Sequence, residues 1–306
     1  FVSVYMNERP DLGDGGDGYA VAVQLYEALG AAQASPVASA QAAVSGKSPM
    51  YGDTDPERGA ARFRIPVVAP RQWTAETPYL YILVMTLTDP AGKTIDVERC
   101  RIGFRQVDIR DGVLRLNGRR LVLRGVNDHE HHPERGRALT TDDMRAELVA
   151  MKQLNFNAVR TSHYPHHTAF YDLCDELGMY VVDEANLETH GIEAQITKDP
   201  LWMNAFMERA QRMALRDRNR PCVIAWSLGN ESYHGPHHAA MAAWLRALDP
   251  ARPVQYESGF PGPAVTDIMA PMYPKLDWIE EILADPAETR PMVMCEYAYS
   301  KGNALG

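Results

Sequence analysis

Two glutamates stand at the ends of strongly apolar stretches in the second half of the sequence. Glu231 ends CVIAWSLGNE, and Glu296 ends PMVMCE. A carboxylate in such a place is costly to bury unless it is paired or functional, so each one alone can be explained as an ion-pair partner. As a facing pair they suit glycoside hydrolysis, in which one carboxyl group protonates the leaving oxygen and the other attacks the anomeric carbon. Asn230, directly before Glu231, is placed to bind a sugar 2-hydroxyl.

A repeating strand, loop and helix pattern begins at about Leu121 and positions these two glutamates. The predicted strands are LVLRGVN, NAVRTSH, MYVVDEAN, CVIAWSLGNE, PVQYES, TDIMAPMY and PMVMCEY. Apolar strands that alternate with helices indicate a parallel sheet covered on both faces. Seven such repeats predict a (β/α)8 TIM barrel, incomplete here because the sequence stops at Gly306 before an eighth strand.

The predicted helices between these strands have recognisable ends. Thr140 or Thr141 is expected to cap the helix TTDDMRAELVAMKQLN, whose first turn is acidic. Gly178 is expected to close the helix HTAFYDLCDELG. Pro221 is expected to end the long helix PLWMNAFMERAQRMALRDRN, and HHAAMAAWLRALD and LDWIEEILAD complete the set.

Six of the predicted strands run into polar or ionisable residues at their C-terminal ends. Besides Asn230–Glu231 and Glu296–Tyr297, these are residues 127–132, 162–164, 183–186 and 272–273. In a barrel all of these ends converge on one face, where such folds build their active sites. We therefore expect these side chains to share one site.

The first half of the sequence has a different character. Short β-rich runs such as YAVAVQLYEA and YLYILVMTLTD are separated by Gly-, Pro- and Asp-rich connectors, and AAQASPVASAQAAVSGKS suggests a loose loop or a weak strand. This pattern predicts an N-terminal immunoglobulin-like β-sandwich over residues 1–105, followed by the catalytic barrel over 106–306. All ten histidines fall between His129 and His238, which places the chemistry in the second domain.

Composition and charge exclude several classes of function. A net charge of −9 disfavours nucleic acid and anionic membrane surfaces as partners. No apolar stretch is long enough to span a membrane, and FVSVYMNERP has no secretory-signal pattern. The four cysteines form no CxxC pair and three lie in apolar runs, which favours reduced thiols and a cytoplasmic location.

Two groups of residues invite a metal-site interpretation. The run His129–Glu–His–His132 has no nearby cysteine and alternates its side chains between two faces, so sugar contacts explain it better than zinc. Glu188 and His190 are two residues apart and point the same way in an extended chain. With Glu231 they form a plausible divalent-cation site, although spacing alone favours a salt bridge.

The motifs GVNDHEHHP, NFNAVRTSHYP, YVVDEANLETHG, RDRNRPCVIAWSLGNES, RPVQYE, PMYP and MCEYAYSKGNALG resemble the β-galactosidases of glycoside hydrolase family 2. The resemblance covers about residues 105–306, and WTAETPYLY and GFRQV extend it into the preceding domain. It implies a retaining enzyme that removes terminal β-D-galactose from substrates such as lactose. Residue by residue, it implies acid/base Glu231, nucleophile Glu296, Mg²⁺ ligands Glu188, His190 and Glu231, and sugar contacts His129, His163, Asn230 and Tyr273.

One position departs from the family pattern. The family carries His three residues after the nucleophile, where this sequence has Tyr299. That His helps to hold the galactose 6-hydroxyl and a nearby Na⁺, so the resemblance does not extend securely to Na⁺, and Tyr299 becomes a candidate sugar contact of its own. The family's N-terminal sugar-binding domain, the end of its barrel and its C-terminal domains are not in this sequence. Full-length members are expected to be homo-oligomers.

Three further expectations follow. One alternative is a family 2 enzyme of different sugar preference, such as a β-glucuronidase, which a panel of p-nitrophenyl glycosides separates. Another is an inactive sugar-binding fragment. Because the predicted barrel lacks its eighth strand, the 306 residues expressed alone are expected to be barely active and prone to aggregate through the apolar strands LVLRGVN and PMVMCEY.

Overall fold

The computed structural model describes residues 2–5, 18–27, 35–44 and 60–299. The chain divides into two compact units, one formed by Phe1–Arg71 with Tyr79–Phe104 and the other by Gln72–Pro78 with Arg105–Gly306. Among the described residues, none of the helices combines the length and the apolar character needed to cross a membrane.

The first unit is built from antiparallel strands. These are β1 (Val2–Tyr5), β2 (Ala20–Tyr26), β3 (Ala38–Ala43), β4 (Ala60–Phe63), β5 (Tyr81–Thr88) and β6 (Thr94–Ile102). One sheet has the order β3-β2-β5-β6, and β1 pairs with β4 in a second. Alternate residues of β2 are buried, and Val23, Phe63 and Leu83 share one apolar core between the sheets. Strand β3 lies within the segment predicted as a loose loop or a weak strand, of which residues 31–34 and 45–48 lie outside the described residues. The β-sandwich prediction is confirmed.

The second unit opens with a small antiparallel meander that the sequence analysis did not predict. Its strands are β7 (Val107–Arg110), β8 (Val113–Leu116) and β9 (Arg119–Arg120). Asp111-Gly112 and Asn117-Gly118 form its two turns, all four residues with positive φ. Such two-residue turns match the right-handed twist of a hairpin. Ile109 packs against the buried cluster of Val182, Ala225 and Ile268, so the meander covers part of the barrel core.

The parallel sheet of the barrel follows. Its strands are β10 (Gly125–Asp128), β11 (Ala158–Thr161), β12 (Tyr180–Glu184), β13 (Val223–Ser227) and β14 (Val254–Gln255), hydrogen-bonded in that order. Single parallel bridges at Gln255–Ile268 and Met269–Met292 extend it to a sixth and a seventh strand position. Every residue of β11, β12 and β13 is buried, as expected for a sheet covered on both faces. The predicted incomplete barrel is confirmed.

The start of the first barrel strand was predicted too early. The predicted strand begins at Leu121, but β10 begins at Gly125. The reason is that the Leu121 N–H donates to the Leu114 carbonyl of the meander, and the Arg124 N–H donates to the Asn157 side chain. The apolar run before Gly125 therefore leaves the meander rather than joining the barrel sheet.

In the described part of the chain, five α-helices lie between or after these strands: α1 (Thr141–Gln153), α2 (Thr168–Leu177), α3 (Met203–Asp217), α4 (Pro236–Leu248) and α5 (Leu276–Ala284). Thr140 caps α1 in a reciprocal capping box with Asp143. Gly178, with φ of 77°, closes α2 as predicted. Helix α3 ends at Asp217, four residues before the predicted stop at Pro221, because Arg220 N–H turns back to the Asp217 carbonyl.

Candidate active site

Glu231 lies in a tight turn just beyond β13. Its φ is +38°, a left-handed conformation that is uncommon for a residue with a side chain, and Tyr233 in the same turn has φ of +51°. The Glu231 N–H donates to Oε1 of Glu257 at 2.5 Å. The Glu231 side chain is 35 % exposed, so its carboxyl group is open to an incoming molecule.

Glu296 lies at the seventh strand position, in a parallel bridge with Met272. Arg160 Nη1 donates to its Oε1 at 3.2 Å, and the Tyr273 hydroxyl donates to its Oε2. Burial, the hydrogen bond to Glu296 and the charge of Glu296 all raise the pKa of Tyr273 above its usual value, so the phenol stays a donor. Each carboxylate oxygen of Glu296 therefore has one fixed donor and keeps a further lone pair.

Arg160, in the middle of β11, connects three acidic or amide side chains. Its side chain is only 5 % exposed. Nε donates to Glu184 Oε2 at 2.7 Å, Nη2 donates to Asn230 Oδ1 at 2.8 Å, and Nη1 reaches Glu296. The planar guanidinium fixes the directions of all three bonds, which a lysine would not do. Arg160 thus ties the nucleophile candidate to the residue that precedes Glu231.

Glu184, at the end of β12, is a fully buried carboxylate with several partners. His163 Nδ1 lies 2.7 Å from Oε1, and the Ser227 hydroxyl donates to Oε2 at 2.6 Å. Burial alone would raise the pKa of Glu184, but the charge of Arg160 and the hydrogen bond from His163 hold it below the usual value. Glu184 is therefore an ionised anchor that orients Arg160 and His163.

Glu257, just after β14, is a second buried carboxylate of the site. Burial raises the pKa of Glu257 to about 7, against the opposing effects of the Glu231 N–H and the Arg160 charge. Its Oε2 is buried and has no hydrogen-bond partner among the described residues. Glu257 is thus the least satisfied acidic side chain close to Glu231.

Several predicted sugar contacts line one cavity of about 950 Å³, which runs along the barrel between residues 120–127 and residues 291–299. Its described lining includes His129, His163, Tyr273, Tyr299 and Glu296, but not Asn230 or Glu231. The His129 and His163 rings meet edge to face at 5.3 Å, and the Tyr273 and Tyr299 rings are 6.5 Å apart. Burial, followed by the neighbouring His163, lowers the pKa of His129, which favours a neutral ring. A neutral imidazole can donate and accept hydrogen bonds to sugar hydroxyls.

Asn230 is held at both ends of its amide. It accepts from Arg160, and its Nδ2 donates to Glu188 Oε1 at 3.0 Å. The two segments also form a parallel bridge between Glu188 and Asn230. The residue before Glu231 is therefore fixed in orientation, and it links the Glu188 segment to Arg160.

The predicted Mg²⁺ ligands are neighbours only in part. His190 Nε2 and Glu231 Oε2 are 3.7 Å apart, and Glu188 is engaged by Asn230. Within the part of the chain that the structure describes, no three His, Cys, Asp or Glu side chains are grouped closely enough to hold a metal ion. As arranged, Glu188, His190 and Glu231 do not form a preformed metal site.

Sequence reasoning did not assign roles to three residues of this site: Arg160, Glu184 and Glu257. Arg160 interrupts the apolar strand AVRT, and an arginine at a buried strand position requires buried acceptors, so a signal was present. Glu184 was noted only as one polar strand end among several. Glu257 lies near the end of the fifth predicted strand, PVQYES, the one strand whose end was not considered.

Comparisons with known proteins identify the family of the chain. The family model described as "Glycosyl hydrolases family 2, TIM barrel domain" matches residues 107–306, and "Glycosyl hydrolases family 2" matches 13–105. "Beta-galactosidase" of Pseudoalteromonas haloplanktis is 52 % identical over 255 residues, which are 79 % of this chain and 24 % of that protein. "Beta-galactosidase" of Psychromonas ingrahamii is 45 % identical over 305 residues, 94 % of this chain and 29 % of that protein.

The chain thus spans about a quarter of the length of the curated relatives it matches. Among solved structures, the FMN-binding β-glucuronidase from Facaelibacterium prausnitzii L2-6 has a TM-score of 0.77 at 23 % identity, covering 94 % of this chain and 44 % of that chain. That likeness supports the fold alone. Because the two family models together cover nearly the whole length of the chain, the chain belongs to glycosyl hydrolase family 2.

Proposed function

We propose that the protein is a retaining β-galactosidase that removes terminal, non-reducing β-D-galactose from β-galactosides such as lactose. The relatives at 45–52 % identity carry the name "Beta-galactosidase", and the similarity spans the residues that form the site. The observation that carries the proposal is the fixed carboxylate of Glu296, with one donor on each oxygen and a second, open carboxyl group at Glu231.

The reaction proceeds in two displacements. In the first, Glu231 gives its proton to the glycosidic oxygen while a Glu296 oxygen attacks the anomeric carbon, so the aglycone leaves as an alcohol and a galactosyl ester forms. In the second, Glu231 takes a proton from water, the water oxygen attacks the anomeric carbon, and the Glu296 carboxylate is released. Two inversions at the same carbon give net retention.

The surrounding residues act on these steps through position and charge. Arg160 and Tyr273 orient the Glu296 carboxylate and stabilise its negative charge before attack and after release. His129, His163 and Asn230 are the proposed contacts to galactose hydroxyls, and His163 is oriented by Glu184. Tyr299, which is exposed beside Tyr273, is the proposed contact that replaces the family's histidine.

Several finer features are proposals of the same kind. Mg²⁺ binding by Glu188, His190 and Glu231 is supported by the resemblance and by the proximity of His190 to Glu231, and no step above is routed through a metal. Na⁺ binding has no supporting observation besides the resemblance. The four free cysteines support a cytoplasmic location, and the net charge of −9 disfavours nucleic-acid and anionic membrane partners. Homo-oligomer assembly of the full-length protein rests on the resemblance alone.

Hydrolysis of p-nitrophenyl β-D-galactoside, β-D-glucuronide and β-D-mannoside by the full-length protein tests the sugar preference. We expect the highest kcat/KM on the galactoside, and NMR of the first product should show β-D-galactose before mutarotation. Preferred hydrolysis of the glucuronide would overturn the sugar assignment. Initial release of α-D-galactose would overturn retention, and no turnover of any of the three would favour a sugar-binding role.

A further inference from the structure

The turn that carries Glu231 is held by side chains that come from a single neighbouring segment. Three consecutive backbone N–H groups, those of Glu231, Ser232 and Tyr233, donate to the side chains that follow β14. Their acceptors are Glu257 Oε1 at 2.5 Å, the Tyr256 hydroxyl at 3.2 Å and Ser258 Oγ at 2.9 Å. Such a row of side-chain acceptors replaces the backbone ladder where β13 and β14 no longer pair.

The bond from Glu231 to Glu257 differs from the other two. It is the shortest of the three, and it alone has an acidic acceptor. Like the bond from Tyr233, it holds a residue with positive φ, here +38° at Glu231. A left-handed conformation at a residue with a side chain persists only where its surroundings impose it. The direction of the Cα–Cβ bond of Glu231, and hence of its carboxyl group, depends on that conformation.

Glu257 has no other evident structural reason to be an acid. Its Oε2 is buried without a hydrogen-bond partner among the described residues, an arrangement that costs stability. By contrast, Asp267, which also accepts a backbone N–H (from Val254, at 2.8 Å), has Arg246 as an ion-pair partner. A carboxylate kept partly unsatisfied beside a strained residue is typical of a functional site.

We propose that Glu257 is a positioning residue that fixes the backbone of Glu231 and so aims the acid/base carboxyl group at the glycosidic oxygen. The inference rests on the proposed function, since it assigns Glu257 a part in proton transfer by Glu231. Removing the acceptor should therefore impair proton transfer to the leaving group more than it impairs binding or attack by Glu296.

The test is the dependence of rate on the leaving group. In the full-length protein, Glu257→Leu removes the acceptor, whereas Glu257→Gln keeps an oxygen at the same place. We expect Glu257→Leu to lower kcat/KM on phenyl β-D-galactoside, whose leaving group needs a proton, by about 10²-fold, the typical cost of a displacement near 1 Å. On 2,4-dinitrophenyl β-D-galactoside, whose leaving group needs no proton, kcat/KM should stay near the wild-type value, because kcat/KM reports the first displacement and not the second, in which Glu231 acts as a base.

Two further variants complete the experiment. Glu231→Gln shows how kcat/KM depends on the leaving group when the acid is lost, and Glu257→Leu should show the same dependence to a smaller degree. Asp267→Leu is the matched control, because it removes an acceptor of a backbone N–H from the neighbouring segment, and it should show no selective loss on the phenyl substrate. Glu257→Gln should retain the wild-type dependence, which keeps the test available if Glu257→Leu does not fold.

Equal losses of kcat/KM on the two substrates in Glu257→Leu would overturn the positioning role. A selective loss of kcat/KM on the phenyl substrate in Glu257→Gln would overturn it as well. The proposed function fails separately, if the wild-type protein hydrolyses neither galactoside or if Glu231→Gln shows no leaving-group dependence.

Discussion

Replacing Arg160 by methionine should separate stability from catalysis in this site. Glu184 has no exposed side-chain surface, and among the described residues Arg160 is the arginine or lysine that pairs with it, beside His163. Removing one member of a buried ion pair costs roughly 3–5 kcal/mol, because the other charge is left without compensation. At about 2–4 °C per kcal/mol for a domain of this size, the midpoint of thermal unfolding should fall by roughly 6–20 °C.

The double variant Arg160→Met/Glu184→Gln makes the argument specific. The amide removes the buried charge, so most of the lost stability should return. Activity should not return, because Glu296 and Asn230 still lack the donors that Arg160 supplied. With the nucleophile held only by Tyr273, we expect kcat/KM to stay about 10²-fold below wild type, about 2.7 kcal/mol in activation free energy.

Thermal unfolding and kcat/KM on p-nitrophenyl β-D-galactoside are measured on both variants and on a matched control. Arg252 is equally buried and pairs with Asp249, but its other bonds go to backbone carbonyls, including Val223. Arg252→Met should lose stability and keep kcat/KM at temperatures where it is folded. If the double variant recovers activity together with stability, or if Arg160→Met unfolds at the wild-type temperature, the reasoning is wrong.

Three other predictions concern single interactions. Tyr273→Phe removes a donor to the ionised Glu296, a bond worth about 1.5–3 kcal/mol, so kcat should fall roughly 10- to 150-fold without loss of folding; an unchanged kcat would contradict this. Burial and the adjacent Glu147 raise the pKa of Asp128 to about 7. Between pH 4 and 7 the folded state therefore keeps a proton that the unfolded state has lost, so the free energy of unfolding falls as the pH rises through that range. Glu147→Gln should reduce this loss of stability, which is measured as a smaller difference in unfolding temperature between pH 5 and pH 8. Burial lowers the pKa of His166 to about 3, so His166 has the opposite effect on stability, and it has that effect in the wild type and in Glu147→Gln alike. Mg²⁺, if bound as proposed, should raise the unfolding temperature above that in EDTA, and His190→Ala should reduce this rise; an equal rise in both proteins would exclude His190 as a ligand.

The parts of the site that sequence reasoning found are those with a local signature. Glu231 and Glu296 end apolar runs, and a buried parallel strand is visible as such a run. Thr140 and Gly178 were found for the same reason, because caps depend on residues within one turn. Where a signal is local, the sequence was sufficient to place it.

The parts that were missed depend on contacts between distant segments or on signals that were overlooked. The position of Arg160 in a buried strand signals that it needs buried acceptors, but those acceptors are known only once Glu184, Asn230 and Glu296 converge, the last of them 136 residues away. Glu257 acts on a backbone N–H, which has no sequence signature at all. The meander is different, because Asp111-Gly112 and Asn117-Gly118 are strong hairpin signals between apolar runs and could have been used.

The central claim is that Glu296 is the nucleophile of a retaining mechanism, and covalent trapping tests it most directly. A 2-deoxy-2-fluoro-β-D-galactoside with a 2,4-dinitrophenolate leaving group should inactivate the full-length protein with one equivalent bound. The fluorine slows both formation and hydrolysis of the galactosyl-enzyme intermediate, and the good leaving group speeds its formation alone, so the intermediate accumulates. Peptide mass spectrometry should place the added 2-fluorogalactosyl group on Glu296, and Glu296→Gln should acquire no label. A label on Glu231 or on any other residue would contradict the account.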